Sequence, residues 1–426
     1  MELGIMAIAI VILLALRVPV GLAFLGPGLY WATSTNLSAG YTLSTAFNGV
    51  NSFPLLAVPL FILVGVLANK LGVAERLFEF CLAALSRVRG NLAYVNIGTA
   101  VGFSWMSGSA LADVAGMGKI QIPAMVKAGY PYGFSSGVTA ASSLISPVMP
   151  PSIPAVIFAA VATISTGALF AASVIPATLM AVGLIIYVAI WTSRRPEFKS
   201  IPFNWDRFKK AFVRVLGPMG TPIIILGGIL GGFFTPTEAA AVAALWMLLL
   251  GIVYRNLTFN LVWSALKETA VITGGIMVIL ASAAVLGLIL SRARVSESVA
   301  ELITSTTDNP LVFLLLVNIL FILLGMVVDA TAIILVTVPV LLPVAVSFGI
   351  DPVHFGVIMI MNLMLGLLTP PVGSVLYVTS SVTGKPVDVV FKGIIPFLIP
   401  LVVVLIIVTL FPEVVMFLPN LLGFMS

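Results

Sequence analysis

The sequence predicts an all-α polytopic membrane protein of two inverted repeats, each with a re-entrant helical hairpin and a broken transmembrane helix. Three observations predict this fold class: the composition, the apolar runs, and residues of the two halves that match at a nearly constant spacing. Of the 426 residues, 61% are hydrophobic and 8% are charged, whereas a soluble domain carries about 25% charged residues. A chain this apolar needs the bilayer as its solvent, and its length allows about ten to twelve spans of about 20 residues.

Composition also argues against several kinds of site. A single cysteine, Cys81, excludes an intrachain disulfide framework, and a single histidine, His354, argues against a histidine-ligated metal site. The net charge of +5 does not indicate nucleic acid, because the basic residues sit in short loops between apolar runs. Residues 1–16 have no basic segment and no cleavage motif, which predicts a retained first span and not a signal peptide.

The apolar runs are of two kinds, some long enough to cross once and others paired around a few small or polar residues. They fall at about 3–16, 18–33, 54–69, 93–112, 117–126, 133–163, 168–192, 213–234, 238–254, 269–290, 310–327, 331–348, 353–382 and 394–418. A run of about ten residues is too short to span. The pairs 93–112 with 117–126 and 310–327 with 331–348 therefore predict re-entrant hairpins, which need protein or a wet cavity around them.

Charge placement predicts the topology. The longest polar stretch, 193–212, holds Arg194, Arg195, Lys199, Arg207, Lys209 and Lys210 against Glu197 and Asp206. The positive-inside rule makes it a cytoplasmic connector between a first repeat, 1–192, and a second, 213–426. Counting spans outward from it places seven further basic residues on the cytoplasmic side, namely Arg17, Arg87, Arg89, Lys127, Arg255, Lys385 and Lys392. The same count opens the first hairpin to the cytoplasm and the second to the exterior, and leaves Arg292 and Arg294 outside, against the rule.

Matched residues indicate the repeat. Asp113 and the pair Pro150-Pro151 recur as Asp329 and Pro370-Pro371 at offsets of +216 and +220. Other matches are Pro19 with Pro236, Val73, Glu75 and Glu79 with Val295, Glu297 and Glu301, Pro123 with Pro339, Gly129 with Gly349, and Pro176 with Pro396. Two Pro-Pro pairs in register inside apolar runs favour a true repeat over chance. Inverted repeats with broken helices are typical of secondary transporters, with the site at the midplane.

A hairpin tip and a broken helix form the candidate site in each half, with the tips at 104–113 and 325–331. Proline removes a backbone donor and clashes with the preceding turn, so a Pro-Pro pair interrupts a helix. The freed carbonyls and nearby hydroxyls suit a hard cation such as sodium, which prefers oxygen ligands. The exposed half-helix N-termini suit an anionic group such as a carboxylate. A simple proline kink is the alternative for each break.

Three acidic residues and the histidine have more than one interpretation. Asp113 and Asp329 lie at membrane depth and could cap the returning hairpin arm, coordinate an ion or relay a proton. Glu238 in the run 235–238 fits a helix start with Thr235 or Thr237 as the cap. His354 follows Asp351 and Pro352 at a span entrance and is expected at the interface. Segments 70–90 and 291–308 are expected to be amphipathic helices lying along the two interfaces.

Four runs carry a resemblance to a known family. They are PLFILVG at 59–65, MSGSALADVAGMG at 106–118, GFFTPTEAAA at 232–241 and GMVVDAT at 325–331. These resemble the large membrane (permease) subunit of the tripartite ATP-independent periplasmic (TRAP) transporters, and the similarity runs from the first span to the last. The resemblance implies an inner-membrane permease with an elevator motion, driven by two or more Na⁺ ions and without an organic cofactor. It implies uptake of an organic acid such as a C4-dicarboxylate or sialic acid.

The resemblance also implies two partners, a small four-span membrane subunit and a periplasmic substrate-binding protein, and it places the ligands. The implied sodium ligands are Ser107, Gly108, Ser109, Ser146, Pro147, Pro150, Gly325, Val328, Asp329, Thr331, Thr369, Pro370 and Gly373. The candidate substrate-binding residues at the tips and breaks are Asp113, Ser143, Pro151, Ser152, Pro371 and Ser374.

Other function classes remain as alternatives. These are a proton-coupled or binding-protein-independent anion transporter and, less favoured, a channel, because two sealed tips with apolar walls argue against a continuous wet path. A membrane enzyme would need convergent catalytic groups, and the sequence offers no catalytic residues of that kind. A primary pump is disfavoured because GxxxxGK[ST] does not occur.

Overall fold

The chain is helical throughout its described part, with no strand in residues 2–16, 18–35, 37–198, 200, 202–305 and 307–424 of the computed structural model. Within these residues, seven helices are long and apolar enough to cross a membrane. This confirms the predicted all-α polytopic membrane protein. Arg17 and Lys199, two of the residues used to predict the topology, lie outside the described residues.

Ten α-helices occupy the first part of the chain. They are α1 (Glu2–Ala15), α2 (Val20–Ser34), α3 (Ala39–Val50), α4 (Ala57–Lys70), α5 (Val73–Ala84), α6 (Asn91–Ser107), α7 (Ala110–Lys127), α8 (Tyr132–Ser143), α9 (Ile153–Ala162) and α10 (Thr166–Ser193). A 3-10 turn at Phe53–Leu56 leads into α4.

Eleven further helices follow. They are α11 (Trp205–Pro222), α12 (Gly228–Leu230), α13 (Pro236–Val253), α14 (Phe259–Arg292), α15 (Val295–Thr304), α16 (Pro310–Gly325), α17 (Ala330–Ser347), α18 (Pro352–Gly366), α19 (Ser374–Thr383), α20 (Val387–Leu410) and α21 (Pro412–Leu421). A π-turn at Ile223–Gly227 joins α11 to α12. Because α11 begins at Trp205, the expected connector 193–212 contains the first part of this helix.

Both hairpins turn inside the predicted tips. The second turns between Gly325 and Ala330, and the first turns at Gly108, within 104–113, so the apolar run 93–112 extends past the turn. Gly108 has φ +62° and ends α6, and Ser109 then caps α7, so the apolar residues 110–112 belong to the returning arm. Gly116 and Gly118 stay inside α7. Gly116 packs closely against Asn69, and a Cβ built at Gly116 would lie 2.9 Å from Asn69 Oδ1.

The first returning arm, α7, is longer than the predicted run 117–126, whereas α17 has the length of the predicted run 331–348. Both α7 and α17 have 18 residues, or about 27 Å at 1.5 Å per residue. By length and hydropathy α17 itself qualifies as a span. The inference that the first returning arm is too short to span was therefore wrong. The re-entrant depth of the hairpins stays a prediction.

Both predicted helix breaks are present. The helix that begins at Tyr132 stops at Ser143 and resumes at Ile153, and the one that begins at Pro352 stops at Gly366 and resumes at Ser374. Pro150-Pro151 and Pro370-Pro371 lie in the two interruptions, and both peptide bonds are cis. Elsewhere single prolines, such as Pro176 in α10 and Pro396 in α20, remain inside continuous helices.

The two halves interlock. The order α5 to α10 parallels the order α15 to α20, with a short helix, a hairpin, a broken helix and a long helix in each. The second hairpin arm α17 packs against α9, while α19 packs against the first hairpin arm α7. Each hairpin thus lies along the broken helix of the other half. The inverted relation of the two halves stays a prediction.

The long helix α14 packs against α2, α3, α4 and α17. A small apolar cluster at this contact includes Phe24, Trp31, Leu286 and Ile289. The main core is formed by the hairpins and broken helices, and α18 is buried along its whole length after Pro352. The first break and α18 therefore lie in the core of the molecule, whereas Pro371 and Val372 of the second break are exposed.

His354 lies in this core and not at the interface, so that expectation was wrong. Its side chain is 2% exposed, and Nε2 lies 2.8 Å from the carbonyl oxygen of Val408. The reason is that Asp351 caps α18 through the Val353 amide at 2.7 Å, which makes His354 part of the first, already buried, turn. Segments 70–90 and 291–308 do contain short helices, α5 and α15.

Candidate functional site

The first hairpin tip rests directly on the first helix break. Gly108 touches the break so closely that a Cβ there would lie 2.7 Å from the carbonyl oxygen of Pro151. Ser109 caps α7 by accepting from the Ala112 amide at 3.4 Å, and Ser107 Oγ accepts from the Ser109 amide at 3.3 Å. Only a glycine with positive φ fits at the tip, because a side chain would displace the backbone of the break.

Asp113 lies one turn into α7 and faces the same tip. Its side chain is fully buried, and the hydroxyl-bearing side chains of Ser107 and Ser146 are its polar neighbours. Neither carboxylate oxygen has a hydrogen-bond partner of acceptable geometry, and the Ser146 hydroxyl has none either. The capping interpretation was therefore wrong for Asp113, because Ser109 is the cap. Buried polar atoms without partners require an explanation, and an oxygen-lined space suits a cation.

The Ser143 and Ser152 hydroxyls, unlike that of Ser146, are already engaged. Ser152 caps α9 by accepting from the Ala155 amide at 3.1 Å and donates to the carbonyl oxygen of Pro147. Ser143 donates to the Ala140 carbonyl at 2.8 Å, within its own helix. Both side chains are buried. These two serines are therefore used by the backbone of the break and do not reach an open site.

The second tip and break meet through backbone groups. The Val372 and Gly373 amides both donate to the Met326 carbonyl at 3.1 Å. Asp329 is the cap of α17 and accepts from the Thr331 amide at 2.9 Å, as the capping interpretation predicts. Gly325 and Gly366 approach so closely that a Cβ on Gly366 would lie 2.5 Å from the carbonyl carbon of Gly325.

A cavity of about 360 Å³ lies between the two tips and α14, a size that suits a small organic ligand. Its lining is Gly108, Ser109, Ala110, Leu111, Pro147, Ile153, Pro154, Val271, Ile272, Gly275, Ile276, Ile279, Asp329, Ala330, Thr331, Met364 and Leu367. The N-terminal residues of α7, α9 and α17 all border it. Three helix N-termini with their positive dipole ends therefore border one space, and side chains already cap the Ala112, Ala155 and Thr331 amides there.

The cavity contains some of the predicted site residues and leaves others outside. It brings together five of the implied sodium ligands, Gly108, Ser109, Pro147, Asp329 and Thr331. The other eight, Ser107, Ser146, Pro150, Gly325, Val328, Thr369, Pro370 and Gly373, lie in the tips and breaks behind this lining. None of the six candidate substrate residues, Asp113, Ser143, Pro151, Ser152, Pro371 and Ser374, is part of the lining.

Sequence reasoning missed the wall that α14 contributes. Five of its residues line the cavity, Val271, Ile272, Gly275, Ile276 and Ile279, and they lie in a run interpreted only as a span. Gly275 leaves open space, with no heavy atom within 4 Å of a Cβ built there. A glycine on the apolar face of a span was the available signal, but it does not say which helix it faces.

Sequence reasoning also missed two buried asparagine links. Asn96 in α6 donates to Thr139 Oγ1 at 2.6 Å and accepts from Ser142 Oγ at 3.0 Å, which joins the first hairpin to the first broken helix. In the second half Asn362 in α18 donates to Asn318 in α16. Each link ties the outgoing hairpin arm to the helix segment that ends at the break.

Comparison with known proteins gives a family match over nearly the whole chain. Residues 7–414 match the family model described as "Tripartite ATP-independent periplasmic transporter, DctM component". The chain is 42% identical over 422 residues to the sialic acid TRAP transporter large permease protein SiaM of Vibrio cholerae, covering 96% of each chain. It is 38% identical over 380 residues to the C4-dicarboxylate TRAP transporter large permease protein DctM of Pseudomonas aeruginosa, covering 88% of each.

A third relative and one solved structure extend the comparison. The 2,3-diketo-L-gulonate TRAP transporter large permease protein YiaN of Escherichia coli is 34% identical over 372 residues, covering 87% of this chain and 88% of that protein. The crystal structure of the Alcanivorax borkumensis YdaH transporter aligns with a TM-score of 0.61 at 15% identity, covering 88% and 90%. At that identity the likeness concerns the fold alone.

Proposed function

The chain belongs to the DctM-component family of the tripartite ATP-independent periplasmic transporters, as a large permease subunit, and from this premise we propose that it carries an organic acid inward with sodium. The cargo class is a carboxylate such as sialic acid or a C4-dicarboxylate, as in the names of the relatives at 42% and 38% identity. The proposed location is the bacterial inner membrane.

The convergence of three helix N-termini on one cavity carries this proposal. α7, α9 and α17 begin at its edge, next to Ser109, Pro147 and Asp329. A helix N-terminus favours an anion because its first amides have no partner within the helix. A carboxylate placed there would meet several donors at once in a space of low dielectric constant. Such a site holds the acid group and leaves the rest of the molecule to the apolar wall of α14.

Sodium binding is supported by the oxygen atoms behind the cavity. In the first half, the Asp113 carboxylate and the Ser146 hydroxyl are buried without partners beside Ser107. In the second half, Asp329, Thr331 and the backbone around Thr369 are the proposed ligands. A cation in the first position would neutralise a carboxylate that is otherwise expensive to bury in a membrane. It would also add positive charge next to the proposed anion site.

The packing supports an elevator motion as the transport step. The hairpins and broken helices interlock across the two halves, whereas α14 packs on α2, α3 and α4 and meets the interlocked helices at α17. We assign the interlocked helices to the moving unit and α14 to the scaffold. The cavity lies between the two, so the moving unit would carry its ligand along the wall of α14.

Two partners complete the proposal. A small four-span membrane subunit would bind the scaffold, and a periplasmic binding protein would deliver the acid. Because the relatives differ in the acids for which they are named, the individual acid is to be found by screening.

Uptake into proteoliposomes tests the function. The purified chain is reconstituted with the small subunit and the binding protein, and candidate acids are compared with and without a sodium gradient. We expect saturable uptake that needs sodium and the binding protein. Uptake driven by a proton gradient alone, or undiminished without the binding protein, would favour the other anion transporters. A flux that does not saturate would favour a channel.

A further inference from the structure

A second pocket of about 390 Å³ lies between α5 and the first turns of α11, and none of its lining residues lines the transport cavity. We call it the α11 basic pocket, and it is lined by Glu79, Asn204, Asp206, Arg207, Lys210 and Arg214. The three basic residues lie at spacings of three and four, on one face of α11. Nothing in the proposed transport cycle uses this pocket.

The charges of the pocket are only partly balanced. Arg214 Nη1 pairs with Glu79 Oε2 at 3.1 Å, with both side chains more than half exposed. Arg207 and Lys210 form no ion pair with any residue that the structure describes. Three cations against the carboxylates of Glu79 and Asp206 leave a net charge of +1. A phosphodiester carries one negative charge and would balance it.

The length of the helix places this pocket at the level of the lipid headgroups. The continuous segment Trp205–Leu230 has 26 residues, or about 39 Å, whereas the hydrocarbon core is about 30 Å thick. For a helix along the membrane normal, about six residues project beyond the core. The end after Leu230 is apolar and the charged end is Trp205, so the projecting residues are those that carry Arg207 and Lys210.

The surroundings of the pocket fit lipid contact. Phe212, Val213 and Leu216 are 43%, 67% and 50% exposed on the next turns of α11. Trp205 is 56% exposed at the start of the helix, where aromatic residues anchor spans at the interface. Phe80 of α5 packs against Phe208 with ring centres 5.8 Å apart, so the two helices hold the pocket between them.

We propose that the α11 basic pocket binds the phosphodiester headgroup of an anionic phospholipid in the cytoplasmic leaflet. The Arg207 guanidinium is suited to two parallel hydrogen bonds with phosphate oxygens, and Lys210 adds a point charge. The acyl chains run along the exposed apolar side of α11. The leaflet follows from the positive-inside rule, which makes the basic connector cytoplasmic.

Lipid titration of the purified full-length chain tests the proposal. Binding of phosphatidylglycerol in a neutral detergent is followed by native mass spectrometry, with phosphatidylcholine as the uncharged comparison. We expect R207Q/K210Q to weaken the tightest phosphatidylglycerol site by about thirtyfold, since each basic residue near an anionic surface contributes about a factor of five. The matched control K209Q/K267Q removes two charges outside the pocket and should leave that site within about twofold.

A second variant keeps the test independent of folding defects. Glu79→Gln removes the carboxylate that competes for Arg214, so we expect it to tighten phosphatidylglycerol binding. An equal loss in R207Q/K210Q and in K209Q/K267Q would overturn the proposal in favour of diffuse surface attraction. Equal binding of phosphatidylcholine, or binding of inorganic phosphate as tight as that of the lipid, would overturn it as well.

Discussion

Asp113 and Asp329 have similar positions beside the two hairpin tips but different roles. Asp329 is satisfied by the Thr331 amide at the start of α17. Asp113 lies one turn further into its helix, where the backbone amides are already used, and its oxygens have no partner. The sequence shows a carboxylate near each tip but cannot show this difference, because four positions along the helix, about one turn, separate the cap position of Asp329 from the buried position of Asp113.

The unpartnered hydroxyl of Ser146 gives the first residue-scale prediction. We expect Ser146→Ala to raise the sodium concentration for half-maximal uptake by about tenfold, because one hydrogen bond or ligand to a charged group contributes about 1.5 kcal/mol. The protein should remain folded, since the hydroxyl forms no hydrogen bond of good geometry and its one polar neighbour is the Asp113 carboxylate. The measurement is the sodium concentration for half-maximal uptake in proteoliposomes.

Ser143→Ala is the matched control for Ser146→Ala. The Ser143 hydroxyl is equally buried but bonds only to the Ala140 carbonyl of its own helix. We expect its sodium dependence to be unchanged. The same shift in both variants would mean that Ser146 acts through helix packing and is not a cation ligand.

Gly108 gives a second residue-scale prediction. We expect Gly108→Ala to abolish uptake, because the new methyl group would lie 2.7 Å from the Pro151 carbonyl oxygen and the position has φ +62°. Left-handed backbone alone costs a non-glycine residue about 1–2 kcal/mol. The contact with the break adds to that cost and separates the tip from its partner.

Gly349→Ala separates the cost of left-handed backbone from the cost of the contact with the break. Gly349 also has a left-handed backbone, at φ +76°, but no heavy atom lies within 4 Å of a Cβ built there. It should lower the thermal unfolding midpoint slightly and retain uptake. If Gly349→Ala lost uptake as completely as Gly108→Ala, backbone strain would explain both and the fit of tip to break would not be needed.

At the scale of elements, the sequence predicts interruptions better than it predicts turns. The breaks at residues 144–152 and 367–373 follow from Pro150-Pro151 and Pro370-Pro371, because proline acts on its own backbone wherever it lies. The first hairpin turn lies at Gly108, inside the predicted tip 104–113, but the sequence does not say which glycine ends the helix, since Gly108 and Gly116 look alike. Gly116 stays inside α7, where a Cβ would lie 2.9 Å from Asn69 Oδ1.

The asparagine links give an element-scale prediction. Asn96 joins α6 to α8 through Thr139 and Ser142. We expect Asn96→Leu to lower stability by about 1 kcal/mol, in line with hydrogen bonds between helices in membranes. It should also weaken sodium affinity, because the tip and the break are no longer held in register. Thermal unfolding in detergent and sodium-dependent uptake measure the two effects.

Thr178→Val serves as the comparison for Asn96→Leu. The Thr178 hydroxyl is exposed and bonds within α10 to the Val174 carbonyl at 2.8 Å. It should change neither quantity. Should Asn96→Leu lose stability and keep wild-type sodium affinity, the link would hold the fold together without positioning the site.

At the scale of the whole molecule, composition indicates a helical protein embedded in a membrane, while the site depends on contacts between distant elements. A chain with 8% charged residues predicts a membrane protein without any knowledge of its fold. The five predicted ligands that line the cavity gather because each hairpin packs against the broken helix of the other half. The apolar wall of α14 could not be predicted, since nothing in residues 271–279 says which neighbour they face. His354 was misplaced for the same reason.

The wall of α14 gives the last prediction. We expect Gly275→Phe to reduce uptake by about tenfold or more, because a phenyl ring would fill much of a cavity of about 360 Å³ that the cargo must occupy. The structure should tolerate the change, since no heavy atom lies within 4 Å of a Cβ built at Gly275. Uptake by proteoliposomes and the thermal unfolding midpoint are the measurements.

Gly274→Phe is the control that the chain itself offers. Gly274 is the preceding residue and has equally open surroundings, but it does not line the cavity. Successive helical residues point about 100° apart, so the same ring at Gly274 projects away from the tips and should leave uptake near the wild-type level. Equal loss in both variants would mean that α14 merely needs a small residue here. Unchanged uptake in Gly275→Phe would place the transport path elsewhere, because cargo moving between the tips and α14 cannot pass a filled cavity.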